Sequence, residues 1–424
     1  VFLLTLYWLL FPILWIFLPV FAIFNPKIRH HWLHGGVSIK SARVKIQLYA
    51  KSRTVVLFHA ASTGEFEQLQ PVLKKIDRSR YFILLSFSSP TVFKPEKDTP
   101  LADAVCYHPF DFPWSALLFF RRLNIQYYII TRNDLWPSHL FTANKMGIYT
   151  VLINANLYRE VHYTTGLYLS FFQRLLGQFN LILTSSERLK NNLTNVVPDD
   201  KIKVTGDSRL DRVLERQKEN TNPLLPDSYK ESRALILGSL IPSDYPYVFG
   251  GLEKNYPNGQ QSLEEKDHQI IIVPHEIRPP VLKEIESKLK TMKFEYMYYS
   301  QKEKLQNSRV IIVDEVGILA DLYSYSDIAY VGAGFGAGVH SVLEPAVYHN
   351  AVSFGPKFHI VDMAVSLLNN NLASVIETAE DFARFCALLE DKEKLEKIRA
   401  DIKNYILNQP MAAEQITQSI FSHE

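Results

Sequence analysis

From Thr54 onward, short apolar runs alternate with segments in which apolar residues recur every three or four positions. The runs predict strands at Val55–Phe58, Tyr81–Ser86, Ala104–Tyr107, Tyr127–Thr131, Tyr149–Ile153, Leu181–Thr184 and Ile202–Thr205. Helical spacing follows the first of them through Phe66, Leu69, Val72, Leu73 and Ile76. The alternation restarts with runs at Ala234–Leu237, Gln269–Val273, Val310–Val313, Ile328–Val331 and Ala351–Phe354. Strands alternating with helices imply parallel, doubly wound sheets, with function at the carboxyl ends of the strands. Between the two series, NTNPLLPDSYK at Asn220–Lys230 has the prolines and turn formers of a linker. Asn255–Asp267 reads as a polar surface loop, and from Glu377 the chain is helical and charged.

Ahead of this pattern, Phe2–Phe24 is uncharged and almost wholly apolar, about the length that crosses a bilayer. A membrane span tolerates Pro12 and Pro19. A cleaved signal peptide would need a basic stretch before it and a small-residue cleavage site after it, and neither is present. Lys27, Arg29, His30 and His31 follow directly, which predicts a single-pass anchor with the remainder in the cytoplasm. A helix lying against the membrane surface is the alternative. The expected division is an anchor at 1–24, a first α/β domain at 25–219, a linker at 220–230, a second α/β domain at 231–390 and a helical segment at 391–424.

Composition narrows the classes. An apolar fraction of 47 % suffices for two cores and excludes general disorder. A formal charge of +2 does not suggest nucleic acid as a partner. Cys106 and Cys386 have no metal-ligand spacing and read as buried thiols in a reducing compartment.

Candidate chemistry gathers at strand ends. VGAGFGAGVHSVLEPAVYHNAVSFGPK at Val331–Lys357 holds Gly332, Gly334, Gly336 and Gly338, which permit a sharp turn and close approach to a ligand. His340–Glu344 is expected to start a helix, with Glu344 placed to accept from a sugar hydroxyl. No acidic residue follows at the distance a dinucleotide fingerprint requires. In HAASTGE, Glu65 stands just past a strand end, where it could serve as general base or simply as a helix-start carboxylate capped by Ser62 or Thr63. In TRNDLWP, Arg132 could face an anion and Asp134 could orient a charge, or the two could form a structural ion pair. In GDSRLD, Arg209 could bind an acidic sugar or a leaving phosphate bidentately, or lie solvated on the surface. Ser239, His275 and Gly317 end strands of the second series, which suits a nucleotide pocket. His275 has no second ligand at i+3 or i+4, so no divalent metal is expected in the chemistry.

Two such halves facing a cleft, without a metal motif, suit a glycosyltransferase of the GT-B type. The motifs together resemble those of the Kdo (3-deoxy-D-manno-octulosonate) transferases of lipopolysaccharide assembly, from about Asn25 to Lys357. HAASTGE looks like the family's HAVSVGE, YHPFDFP like YxPxDxP, and TGDSRLD like TGNLKFD. PHEIR is similar to PRHPER, VDEVGIL to DTMGEL, VHSVLEPA to GGHNPLEPA, and FGPK repeats an FGP element. The resemblance implies transfer of Kdo from CMP-Kdo to a lipid A precursor at the inner membrane, with inversion and without a cofactor. It makes Glu65 the proton acceptor, with Asp134 and Arg209 as further catalytic residues. It gives Pro274, His275, Val316, Gly317, Ile318, Ser341, Val342, Leu343 and Glu344 the donor nucleotide. The chain departs where the family's ETELWPN reads RNDLWPS, putting Arg132 and Asp134 in place of two glutamates. Arg209 replaces a Lys, Ser341 an Asn and His275 an Arg. Two alternatives remain at this stage: a GT-B enzyme using another nucleotide sugar, and an inactive membrane-bound homologue that only binds.

Overall fold

The computed structural model describes residues 2–132, 134–157, 166–219, 223–231, 233–301, 305 and 308–422. The chain forms two compact units, Val1–Arg212 with Pro410–Glu424, and Val213–Gln409. In the first, β1 (Thr54–Ala60), β2 (Tyr81–Phe87), β3 (Ala104–Tyr107), β4 (Tyr127–Thr131), β5 (Tyr149–Ala155), β6 (Leu181–Thr184) and β7 (Ile202–Val204) form one sheet. Its order is β3-β2-β1-β4-β5-β6-β7, parallel throughout. Alternate residues of β1 serve opposite cores: Val55 and Leu57 pack on one face, Val56 and Phe58 on the other. Both faces are covered, so the strand reads as an unbroken apolar run.

The second unit repeats the plan. Its strands are β8 (Arg233–Leu240), β9 (His268–Pro274), β10 (Met297–Tyr298), β11 (Val310–Ile312), β12 (Ile328–Val331), β13 (Ala351–Phe354) and β14 (Ala373–Val375). They are ordered β10-β11-β9-β8-β12-β13-β14 and parallel. All twelve expected strands are present. The edge strands β10 and β14 are too short to leave a periodic signal.

Four expectations need correction. Asn255–Asp267 contains a helix, Gln260–Lys266, entered at Gly259 and closed by Asp267 in the left-handed region. The single segment 391–424 is divided: helix Lys392–Leu407 belongs to the second unit, whereas Ala412–Phe421 packs Ala412, Ala413, Ile416 and Ile420 on the first sheet. An apolar stripe shows that a helix is covered, not which sheet covers it. The expected linker is replaced by a division after Arg212, within helix Ser208–Glu219; Ser228–Glu231 is helical, and residues 220–222 lie outside the described residues.

The N-terminal segment is the fourth correction. It is not one spanning helix but α1 (Phe2–Ile16) and α2 (Leu18–Phe24), bent by 69° between Ile13 and Leu18. Among the described residues no single helix is long and apolar enough to cross a membrane, though the bent pair has the length and composition. Pro19 has no N–H to continue the first helix and fits the opening turn of the second. α1 also docks on the first unit: Tyr7 donates to Asp111 at 2.5 Å and Trp8 meets Phe141 edge-on. The long helix α3 (Pro26–Tyr49) follows and buries Ala42 and Ile46 in the core.

Candidate active site

The sheet order places β1 between β2 and β4, bringing three distant strand ends side by side. At the end of β1, Ser62 is extended and accepts the Glu65 N–H, opening helix α4 (Thr63–Lys74). The Glu65 carboxylate turns back to accept the Ala61 N–H at 2.6 Å. It is therefore both a helix-start ligand and a carboxylate held beside the strand end. Burial raises its pKa above the ordinary value; the Ala61 amide opposes the rise, and the nearby Asp134 charge adds to it.

Asp134 follows β4 and is held differently. Its Oδ2 accepts from His59 Nε2 at 2.8 Å and from Trp136 Nε1 at 2.9 Å. Burial pushes its pKa up, but the His59 and Trp136 hydrogen bonds and the His59 charge interaction outweigh burial and leave it below the ordinary carboxylate value. His59 is fully buried, with Nδ1 2.9 Å from Ser86 Oγ on β2. Asp134 is thus paired with His59 and Trp136. Arg132 adopts φ +71°, and its charge counters part of the rise at Glu65.

His59 stands within a motif to which sequence reasoning assigned no role for it. A histidine inside an apolar strand was the available signal, since such a group needs partners when buried. The polar layer behind it was not expected either. His108 packs against both His59 and His139, with ring centroids 4.2 and 4.3 Å apart. Burial, then His59 and His139, hold the His108 pKa well below the ordinary value. His139 pairs with the fully buried Asp111 at 2.7 Å, and Asp111 also accepts the Ser138 and His139 N–H groups.

Arg209 stands at the start of helix Ser208–Glu219, partly exposed but ion-paired rather than simply solvated. Its Nε and Nη2 reach Asp207 Oδ2 at 3.0 and 2.6 Å. Asp207 Oδ1 accepts from Gln68 Nε2 at 2.7 Å, which ties the Arg209 loop to α4, the helix carrying Glu65. Ser208 donates to the Gln68 carbonyl and meets Asn154, whose φ is +52°. Asp207 and Gln68 were not expected as site residues.

In the second unit, Ser239, His275, Gly317, Leu319, Ala320, Tyr323, His340, Ser341 and Glu344 line a cavity of about 350 Å3. Four of the nine expected nucleotide residues therefore meet there: His275, Gly317, Ser341 and Glu344. Pro274, Val342 and Leu343 are buried, so their side chains are committed to the core; Val316 is 80 % exposed, and Ile318 packs against the core beside β11. The expected helix from His340 begins only at Leu343 and ends at Val347. His340 itself stacks on His275 at 4.5 Å.

The glycine-rich stretch serves the protein's own packing. A Cβ on Gly332 would lie 2.3 Å from the Ser239 carbonyl, and one on Gly334 2.5 Å from the Gly355 nitrogen. Close approach here is between backbones of adjacent strand ends, not to a ligand. Asp244 accepts the N–H groups of Ile241 and Ala333 and the Tyr330 hydroxyl, holding that turn in place. Among the described residues no three His, Cys, Asp or Glu side chains are grouped to hold a metal.

Two parallel seven-stranded α/β units with polar strand ends define a GT-B-type glycosyltransferase fold. The UDP-GlcNAc 2-epimerase from Neisseria meningitidis, solved bound to UDP-GlcNAc, superposes with a TM-score of 0.62 at 16 % identity, over 88 % of this chain and 100 % of that one; at that identity the likeness concerns the fold alone. Residues 39–212 match the family described as 3-deoxy-D-manno-octulosonic-acid transferase (kdotransferase). Beyond that segment, a 3-deoxy-D-manno-octulosonic acid transferase of Chlamydia muridarum is 27 % identical over 84 % of this chain and 82 % of its own length. One from Haemophilus influenzae is 26 % identical over 81 % of each. The chain is thus similar to Kdo transferases over most of its length, which supports reading it as a divergent one.

Proposed function

We propose that this chain transfers Kdo from CMP-Kdo to a hydroxyl of a lipid A precursor, with inversion at the anomeric carbon. The observation that carries the mechanism is the pair of carboxylates driven in opposite directions: burial raises Glu65, while hydrogen bonds hold Asp134 ionised. Such a division assigns the proton carrier and the fixed charge. Glu65 takes the proton of the acceptor hydroxyl as its oxygen forms the new bond to the anomeric carbon. The bond from that carbon to the phosphate oxygen breaks, and CMP departs with the electron pair. Asp134, fixed by His59 and Trp136, offsets positive charge developing on the sugar. Arg209, oriented by Asp207, answers negative charge on the leaving phosphate. The donor nucleotide lies in the cavity lined by His275, Gly317, Ser341 and Glu344.

The chain works at the inner membrane's cytoplasmic face. Supporting this, α1 and α2 leave Leu9, Ile16, Ile23 and Phe24 more than 60 % exposed, next to the basic start of α3. Such a surface suits helices lying in the bilayer interface. The test is transfer from CMP-Kdo, generated in the assay, to an acylated lipid A precursor, read by mass spectrometry. Wild type should add one or more Kdo units and Glu65→Gln essentially none; equal transfer by both would remove Glu65 as base.

A further inference from the structure

Two partners of Asp134, His59 and Trp136, lead back to Asp111. Trp136 donates to Asp134 from its ring and also precedes helix Pro137–Lys145, none of whose N–H groups its side chain caps. Asp111 supplies the cap instead, accepting the Ser138 N–H on Oδ2 and the His139 N–H on Oδ1, each at 3.0 Å. The turn from Asp134 to Trp136 is thereby held from its far end. A second route runs through rings. His139 Nδ1 meets Asp111 at 2.7 Å, His139 packs on His108, and His108 lies against both His59 and Trp136.

An ionised carboxylate has about four places to accept a hydrogen bond. Ser138 and His139 fill three of those on Asp111, and the Tyr7 hydroxyl of α1 fills the other at 2.5 Å. Burial pushes the Asp111 pKa up, but the His139, Tyr7 and Ser138 hydrogen bonds outweigh it and hold the group below the ordinary carboxylate value. Tyr7, Trp8, Phe11 and Trp15 share one face of α1 by their spacing of three and four. That face meets Phe112, next to Asp111, and Phe141 of helix Pro137–Lys145. Ring contacts suffice to seat an apolar helix. The hydroxyl adds a directed bond to the one carboxylate that opens the helix after the Asp134 turn.

We propose that Tyr7 is a positioning residue for Asp134, acting through Asp111, so that α1 sets the geometry of the catalytic turn. This rests on the transfer function above, in which Asp134 supplies the fixed charge. Without the hydroxyl, Oδ2 of Asp111 keeps only the Ser138 N–H. The carboxylate can then turn about its Cβ–Cγ bond, and the helix start and Trp136 move with it.

The test compares wild type, Tyr7→Phe and Trp15→Leu as full chains. Tyr7→Phe keeps the ring packed on Phe11 and removes only the hydroxyl. Trp15→Leu loosens the seat of α1 on Phe112 and leaves the hydroxyl in place. Each is read by transfer kinetics and by the proton–nitrogen resonance of the Trp136 indole, identified as the one missing from Trp136→Phe. Tyr7→Phe should lower kcat by about 10- to 100-fold, the cost of a displaced catalytic group, with both substrate KM values within about twofold of wild type. Its Trp136 indole proton should move upfield as the bond to Asp134 lengthens, whereas Trp15→Leu should match wild type in both readouts. The proposal is overturned if Tyr7→Phe keeps kcat within about twofold of wild type. It is overturned equally if the Trp136 resonance stays in place in Tyr7→Phe, or if Trp15→Leu lowers kcat as far, which would make seating of the helix the whole effect. Wild type that transfers no Kdo, with the Trp136 resonance still displaced by Tyr7→Phe, would leave the positioning contact standing and refute the transfer reading.

Discussion

Replacing Glu65 by Gln isolates the proton-accepting step from everything else the residue does. Gln keeps a carbonyl oxygen able to accept the Ala61 N–H, and the Ser62 cap involves only the backbone of residue 65. Burial makes the Glu65 carboxylate harder to ionise in the folded protein than in the unfolded chain, so its charge opposes folding at neutral pH. The variant should therefore unfold at the same temperature or higher, and lost activity cannot be assigned to lost fold. General-base catalysis contributes about 10²–10⁴-fold, or roughly 2.7–5.4 kcal/mol of transition-state stabilisation. Single-turnover transfer at saturating acceptor should fall by that factor, while CMP binding to the second unit stays unchanged. The pH profile supplies an independent check. A base works when deprotonated, and the pKa of Glu65 is raised, so kcat/KM should drop as pH falls through a value above that of an ordinary glutamate. In the Glu65→Gln variant this acidic limb should vanish from the residual rate. A wild-type limb at or below the ordinary glutamate value, or a variant within about threefold of wild type, would refute the reasoning.

Other outcomes follow from the same contacts. Asp134→Asn removes a charge that adds to the elevation of Glu65, so the acidic limb should move to lower pH while the maximal rate falls; a limb moving upward would contradict the assignment. Asp207→Asn weakens the two-point hold on Arg209 and should lower kcat more than it raises the acceptor KM, measured by initial rates. Gly334→Ala forces a Cβ against the Gly355 backbone, and overpacking of this kind costs about 1–3 kcal/mol. A domain of this size should then melt roughly 2–4 °C lower per kcal/mol by calorimetry, and an unchanged Tm would show that the two strand ends can separate.

Much of this molecule is local in origin. Strand runs such as Val55–Phe58 and Ile328–Val331 are apolar because both faces of a parallel sheet are covered, so residue order alone marks them. The strand ends that carry Glu65, Asp134, His275 and Gly317 are visible for the same reason, as polar or turn residues interrupting those runs. What lies beyond is a matter of which strands become neighbours. His59, Ser86 and Asp134 form one hydrogen-bonded line only because β1 lies between β2 and β4, and no spacing along the chain encodes that order. Arg209 is legible as a cation, but Asp207 and Gln68 become its support only when α4 packs beside helix Ser208–Glu219. The glycines of Val331–Lys357 announce a close approach, and only the fold shows that backbone atoms of Ser239 and Gly355 are what they approach. Likewise the apolar start of the chain signals contact with lipid or core, whereas the break before Pro19 and the Tyr7 contact with Asp111 decide that it bends and docks. Sequence determined where chemistry-bearing groups occur along each element; tertiary structure decided their partners, because long-range pairing depends on sheet order and packing rather than on distance along the chain.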